Sequence, residues 1–203
     1  MRKFSLHLLS ASALLLAMAG LAHAQSGPSI ITTAKAGAIQ TPMFTAPNVP
    51  NKVWRPRNWM EVDVDMQAKG IRGAGKGDFL DAVEVKVYVG FNAVDPVTKN
   101  HNAVSGTFTV QNLPEHSVEH SHLLVYIPPA LLFRLLGKPD FTNGDIAGIG
   151  VVVSYGGNVV GGFPLGGAKW WESPKVTIQD GLLLPKVKTP FAPLWGDYDL
   201  EVK

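Results

Sequence analysis

The sequence predicts an all-β domain, a β-sandwich of about seven strands with one short helix. Three observations predict it. The stretch Trp59 to Gln67 alternates Met60, Val62, Val64 and Met66 with Glu61, Asp63, Asp65 and Gln67. A second stretch sets Val83, Val85, Val87, Val89 and Phe91 against Glu84, Lys86 and Tyr88. A period of two sends neighbouring side chains to opposite faces of a pleated strand, so each stretch has one face in a core and one toward water. The third observation is the regular punctuation of the remaining chain by Gly, Pro, Asn and Asp, the pattern of short strands joined by turns.

Taken in order, the chain opens with Met1-Arg2-Lys3, an apolar run from Leu8 to Leu21, and Ala22-His23-Ala24. A basic start, an apolar middle and small residues at a cleavage site describe a secretory signal, with cleavage expected after Ala24. The run is shorter than the roughly 20 apolar residues a membrane span needs, so no span is expected after signal cleavage. A lipoprotein anchor requires a cysteine, and the sequence has none. A pilin-type leader would leave an apolar helix with a nearby glutamate, whereas polar, Pro/Gly-rich sequence follows here. The chain is therefore expected to be exported, to the periplasm or outer envelope.

Removing residues 1–24 takes Arg2 and Lys3 from the 18 basic residues and nothing from the 16 acidic ones, leaving the two balanced. Neutrality gives no reason to expect a nucleic-acid partner. Without cysteine there is no disulfide staple, and the chain is long enough to bury a core without one.

Residues 25–57 carry prolines at 28, 42, 47, 50 and 56 and no apolar periodicity. They read as a flexible lead-in, with the domain spanning 58–203. A glycine-rich loop at 69–77 separates the two patterned strands. Val104, Gly106, Phe108 and Val110 alternate with polar residues, and Leu123 to Ile127 runs into Pro128-Pro129. Residues 129–136 form the helix candidate, with proline in the first turn and Gly137 as its cap. Ile146 to Tyr155 is a β-branched run. Gly156-Gly157-Asn158 then supplies a hairpin turn, and Val159 to Phe163 returns antiparallel.

No catalytic residue is expected. The sequence has no Gly-x-Ser-x-Gly elbow and no cysteine nucleophile. The glycines at 70, 73, 75 and 77 miss the phosphate-loop and dinucleotide spacings, and no helix follows them. Asp140 to Asp145 lacks the alternating oxygens and closing glutamate of a calcium loop, which leaves a helix-to-strand turn. Glu61, Asp63 and Asp65 read as the wet side of an edge strand. His116, His120 and His122 form the one candidate metal site, because alternate residues of a strand share a face. Its spacing matches no recognised zinc pattern, and no cofactor is expected. Trp170, Trp171 and Trp195 are candidate binding residues. Flat indole rings can stack on sugars, but the area each buries favours their plugging the ends of the sandwich.

Several segments together carry a family resemblance. They are Asn58 to Val64, Asp81 to Val89, Tyr126-Ile127-Pro128-Pro129, Lys169-Trp170-Trp171, Gly181 to Lys186, and Thr189-Pro190-Phe191-Ala192-Pro193-Leu194-Trp195 through Tyr198. This pattern resembles a family of small exported verrucomicrobial proteins encoded beside type IV pilus-like machinery. The resemblance implies an immunoglobulin-like fold akin to archaeal pilin domains. It also implies an accessory or structural role near an envelope filament, protein partners in the cell envelope, and no catalytic residues. At Gly196 and Asp197 the sequence departs from the bulkier aromatic and arginine the resemblance leads one to expect. The sequence leaves strand order and oligomeric state open.

Overall fold

The two patterned stretches pleat as their sequence requires. In β2 (Asn58–Lys69), Met60, Val62, Val64 and Met66 are fully buried, and in β4 (Val83–Val94) so are Val83, Val85, Val87, Val89 and Phe91. Each such side chain stabilises the fold by about 1.5–3 kcal/mol relative to exposure. The structure is a computed structural model and describes residues 28–43, 55–70, 79–115, 121–196 and 198–203. The expected signal segment and the loop at 71–78 lie outside the described residues.

The remaining elements are β1 (Ser29–Gln40), β3 (Phe79–Leu80), β5 (His101–Val110), β6 (Leu113–Pro114), β7 (Ser121–Ile127), α1 (Pro129–Leu136), β8 (Ile146–Tyr155), β9 (Asn158–Leu165), β10 (Val176–Gln179) and β11 (Leu184–Pro185). Among the described residues, nine strands form one sheet in the order β10-β5-β4-β8-β9-β1-β2-β7-β11, and β3 pairs with β6 in a separate ribbon. The all-β class with one short helix stands. The two-layered, seven-stranded arrangement is replaced by a single sheet that curls into an open half-barrel. The curl follows from the core: β2 and β4 stand four places apart in the sheet, yet their inward side chains belong to one apolar cluster.

The seam of the half-barrel lies between β5 and β7, and irregular chain bridges it twice. After β10 pairs with β5, the Leu182 amide donates to the Ser105 carbonyl, and Leu184 then pairs with Tyr126 of β7. Between these contacts Leu183 is buried, and a Cβ on Gly106 would stand 2.9 Å from it. The glycine is the notch into which this leucine fits. The C-terminal tail makes the second bridge. The Leu200 amide donates to His122 of β7, and the Lys203 amide to Thr109 of β5.

Two sequence expectations change here. The lead-in assigned to residues 25–57 contains β1, which pairs with β2 over twelve successive positions. Its alternation is real but written in small residues: Ile30, Thr32, Ala34 and Ala36 face the core while Thr33, Lys35 and Gly37 face out. β2 is consequently an interior strand, flanked by β1 and β7, and not the edge that its acidic face suggested.

The helix and the hairpin form where the sequence places them. Pro129 opens α1, and Gly137 closes it in the left-handed region at φ +71°, its amide donating to the Phe133 carbonyl. Leu132 and Leu135 are the helix's buried residues. The β8–β9 turn is Gly156-Gly157, both at positive φ, which matches the right-handed twist of a two-residue hairpin. Residues 140–145 form a helix-to-strand turn in which the Asp145 carboxylate accepts from the Thr142 amide and hydroxyl.

Candidate functional site

The outer faces of the sheet hold the residues singled out from sequence. On β4 and β8 the outward positions include Tyr88, Gly90, Gly148 and Gly150. Trp170 and Trp171, in a 3-10 turn at Trp170–Glu172, lie over them. A Cβ on Gly90 would stand 2.8 Å from the Trp170 ring, and one on Gly150 would overlap Trp171. Trp171 also stacks on Tyr88, with centroids 5.1 Å apart and planes 8° apart, and meets Trp170 edge-on at 5.7 Å. Both indoles are half-buried, each with a face against the sheet. Trp195 is separate: it is 50% exposed, and no ring contact joins it to the other two among the described residues.

Of the three histidines, His116 and His120 lie outside the described residues. His122 is on β7, where its Nδ1 lies 2.7 Å from Asp63 Oδ1. Among the described residues no group of three or more His, Cys, Asp or Glu is placed to hold a metal ion.

Asp63 is the centre of this outer face. It is only 5% exposed, because β1, β7 and the tail all reach it. Lys35 of β1 places Nζ 3.3 Å from Oδ2, and the Tyr198 hydroxyl donates to the same oxygen at 3.0 Å. The Tyr198 ring stacks on His122, with centroids 4.2 Å apart. An aspartate beside an imidazole can orient a general base, but here an aromatic ring lies across the imidazole face and holds the tail down. Burial, then the hydrogen bond to Asp63 and the charges of Asp63, Glu61 and Asp65, push the Tyr198 phenol up to about 12.

A small second core continues the same face. Phe191 is fully buried, stacked on Tyr126 at 5.0 Å and edge-on to Trp59 at 5.6 Å. Leu124, Ile39 and Leu194 complete the cluster. The Tyr126 hydroxyl donates to Glu61 at 2.7 Å, and burial followed by that carboxylate pushes its phenol well above the ordinary range. The turn carrying Phe191 is tied by Thr189, whose hydroxyl donates to the Lys186 carbonyl and accepts from the Phe191 amide. Sequence reasoning found His122 and the tryptophans but missed Asp63 as a hub for Lys35, His122 and Tyr198, the pairing of Lys186 with Asp199, and the seat of Phe191 between Tyr126 and Trp59. Their contacts span 9 to 135 positions of sequence, so no local pattern announces them.

At the far end of β1 a cleft of about 550 Å³ is lined by Gln40, Arg55, Arg57, Asn58, Phe133 and Asp140, with three prolines. Asp140 accepts from the Asn58 amide at 3.0 Å. Arg55 and Arg57 are exposed and have no ion-pair partner among the described residues.

Fold and site together define a curled all-β domain whose conspicuous aromatic and charged side chains hold a C-terminal segment across the sheet. The chain belongs to the protein family whose model matches residues 21–203. A crystal structure from Akkermansia muciniphila has the same fold, with a TM-score of 0.74 and 22% identity over 87% of this chain and 94% of that one. Both findings agree with the verrucomicrobial resemblance read from the sequence. No curated protein matches the chain. No helix among the described residues is long and apolar enough to cross a membrane.

Proposed function

We propose that this protein is exported, has no catalytic role, and acts through protein contacts as an accessory or structural component of a pilus-like assembly in the cell envelope. The observation that carries the reading is the family match over residues 21–203, together with the fold shared with the Akkermansia muciniphila structure. The resemblance carried by the segments between Asn58 and Tyr198 implies an immunoglobulin-like, pilin-related lineage and an envelope setting. The disposition of the site supports it as well. Asp63, His122 and Tyr198 are joined to one another and to the tail, and Trp170 and Trp171 are packed on glycines, so these groups serve architecture. The test is affinity capture from envelope extracts with the tagged protein. Recovery of filament or secretion components is expected, and capture of none would count decisively against the reading.

A second reading, a carbohydrate- or surface-binding module, is favoured by one observation: Trp195 and Tyr198 present half-exposed rings near the tail. Binding on a glycan array that is lost on Trp195→Ala would support it. Trp170→Ala and Trp171→Ala should then matter less, because each ring already has one face on the sheet. An array without signal would retire this reading.

A further inference from the structure

Among the described residues, β1 is paired along the whole of one side and along very little of the other. Its ladder with β2 runs unbroken from Ser29↔Lys69 to Gln40↔Asn58. On its other side it meets β9 only at Ile30↔Gly161 and Ile31↔Gly162, in parallel, and no pairing follows among the described residues. The direction of each peptide group follows from the register. Thr41 continues the same ladder and donates its amide to the Arg57 carbonyl, so the odd-numbered residues of β1 turn their N–H and C=O toward β2. The even-numbered ones turn theirs away. Ile30 confirms the phase, because a Cβ on Gly161 of β9 would overlap its carbonyl oxygen. Past the two shared rungs, the N–H and C=O groups of Ala34, Ala36, Ala38 and Gln40 therefore form an edge left open by the described residues.

Natural edges are blunted by proline, charge or bulges, because an open edge recruits strands. This one has no proline and no bulge, and from Ala34 to Gln40 it carries three alanines, a glycine, an isoleucine, a glutamine and one lysine that is held by Asp63. Gly37 and Ala38 are exposed, and a Cβ on Gly37 would meet nothing within 4 Å. The edge ends at Gln40, which also lines the cleft holding Arg55 and Arg57. With only Asp140 opposing them there, and that carboxylate engaged by Asn58, the two guanidinium groups favour an anionic occupant.

We propose that the open edge of β1, from Ala34 to Gln40, accepts an extended segment of a partner protein as an added strand, with an acidic residue of that segment seated between Arg55 and Arg57. Main-chain hydrogen bonds would supply affinity and the arginines direction. A second copy of this chain fits less well, because a two-fold pairing would run β1 antiparallel to itself and set the two arginines near the Ala34 end of the partner strand, whose one charged residue is another cation, Lys35. The inference rests on the reading that the protein works through protein contacts.

Hydrogen exchange on the purified full-length exported chain tests the edge directly. Amides of Ala36, Ala38 and Gln40 should exchange about 100-fold faster than those of Lys35, Gly37 and Ile39, which face β2. Equal protection of the two sets would mean the edge is already covered and would overturn the proposal. A synthetic peptide of roughly ten alternating Thr and Val residues ending in Asp-Asp is the binding probe. It should slow exchange at the outward amides. The double variant Arg55→Glu, Arg57→Glu should weaken its binding at least about tenfold. Ala38→Pro, which removes only an outward N–H, should abolish binding while the β2 ladder persists. A peptide that protects no outward amide, or binds the arginine variant equally well, would sink the proposal. So would sedimentation showing a dimer formed through this edge. These outcomes separate from the parent reading: a covered edge leaves envelope capture untouched, and failed capture leaves peptide binding untouched.

Discussion

The ammonium of Lys186 lies 2.5 Å from Asp199 Oδ1 and also donates to the Trp195 carbonyl at 3.0 Å, although Lys186 is only 4% exposed. A lysine so enclosed is tolerable because both contacts are made. They join the turn after β11 to the tail that bridges the half-barrel seam. Removing Asp199 alone strands a buried cation. Asp199→Ala should therefore cost about 3 kcal/mol in urea unfolding, and Lys186→Met should cost clearly less, because the charge it leaves unpaired, Asp199, is nearer to water than the lysine. A cost for Asp199→Ala below about 1 kcal/mol would show that the pair does not hold the tail.

Phe191 makes the second attachment. Its ring is fully buried between Tyr126 and Trp59, on the face of the sheet opposite the main core. Phe191→Ala should cost about 3–5 kcal/mol, the range for emptying a closed aromatic site. Phe191→Leu should recover more than half of that. Denaturant melts of the two variants check the order. Equal losses would mean that the ring's shape, stacked on Tyr126, matters more than the volume it fills.

The core strands were legible because period-two patterning is local: Met60 to Met66 and Val83 to Phe91 declare their inward faces without reference to any other element. The helix and the Gly156-Gly157 turn were legible for the same reason, since caps and positive-φ residues act on the adjacent backbone. β1 was not, because Ala34, Ala36 and Gly37 carry little hydrophobic contrast, and the strand is held chiefly by its ladder with β2. The acidic face of β2 was misread as an edge for a related reason. Asp63 becomes buried only when Lys35, His122 and Tyr198 converge from three other segments. Local sequence has no means of recording such a convergence.

Gly150 sets the position of the tryptophan pair. A methyl group there would overlap the Trp171 ring, and that ring is in turn stacked on Tyr88. Gly150→Ala should therefore destabilise the domain by about 1–3 kcal/mol, the usual cost of overpacking, and displace Trp171 from Tyr88. Near-ultraviolet circular dichroism should lose intensity with little change in the far-ultraviolet spectrum. Gly167→Ala is an unsuitable control, because its φ is +112°. Gly37→Ala is suitable, since its Cβ would meet nothing within 4 Å and its φ is not positive.

Tyr198 gives the fold an alkaline limit. Its phenol is pushed up to about 12 by burial, then by its hydrogen bond to Asp63 and the charges of Asp63, Glu61 and Asp65. Tyrosine in an unfolded chain ionises near about 10. The folded value is the higher one, so the fold favours the protonated ring. That stabilisation is fully present below about pH 10 and is lost as pH rises through about 12. Tyr126 adds to the trend in the same direction, its phenol raised by burial and by Glu61. In Tyr198→Phe the decline of stability between about pH 10 and 12 should become shallower, because one of the two linked protons is gone. In Asp63→Asn, Tyr198 should ionise closer to the ordinary value, since a hydrogen-bonded negative charge has been removed from beside it. Tyrosinate absorbance followed through an alkaline titration distinguishes the variants. Ionisation of Tyr198 near about 10 in the unaltered protein would show that its hydroxyl is not held by Asp63 in solution.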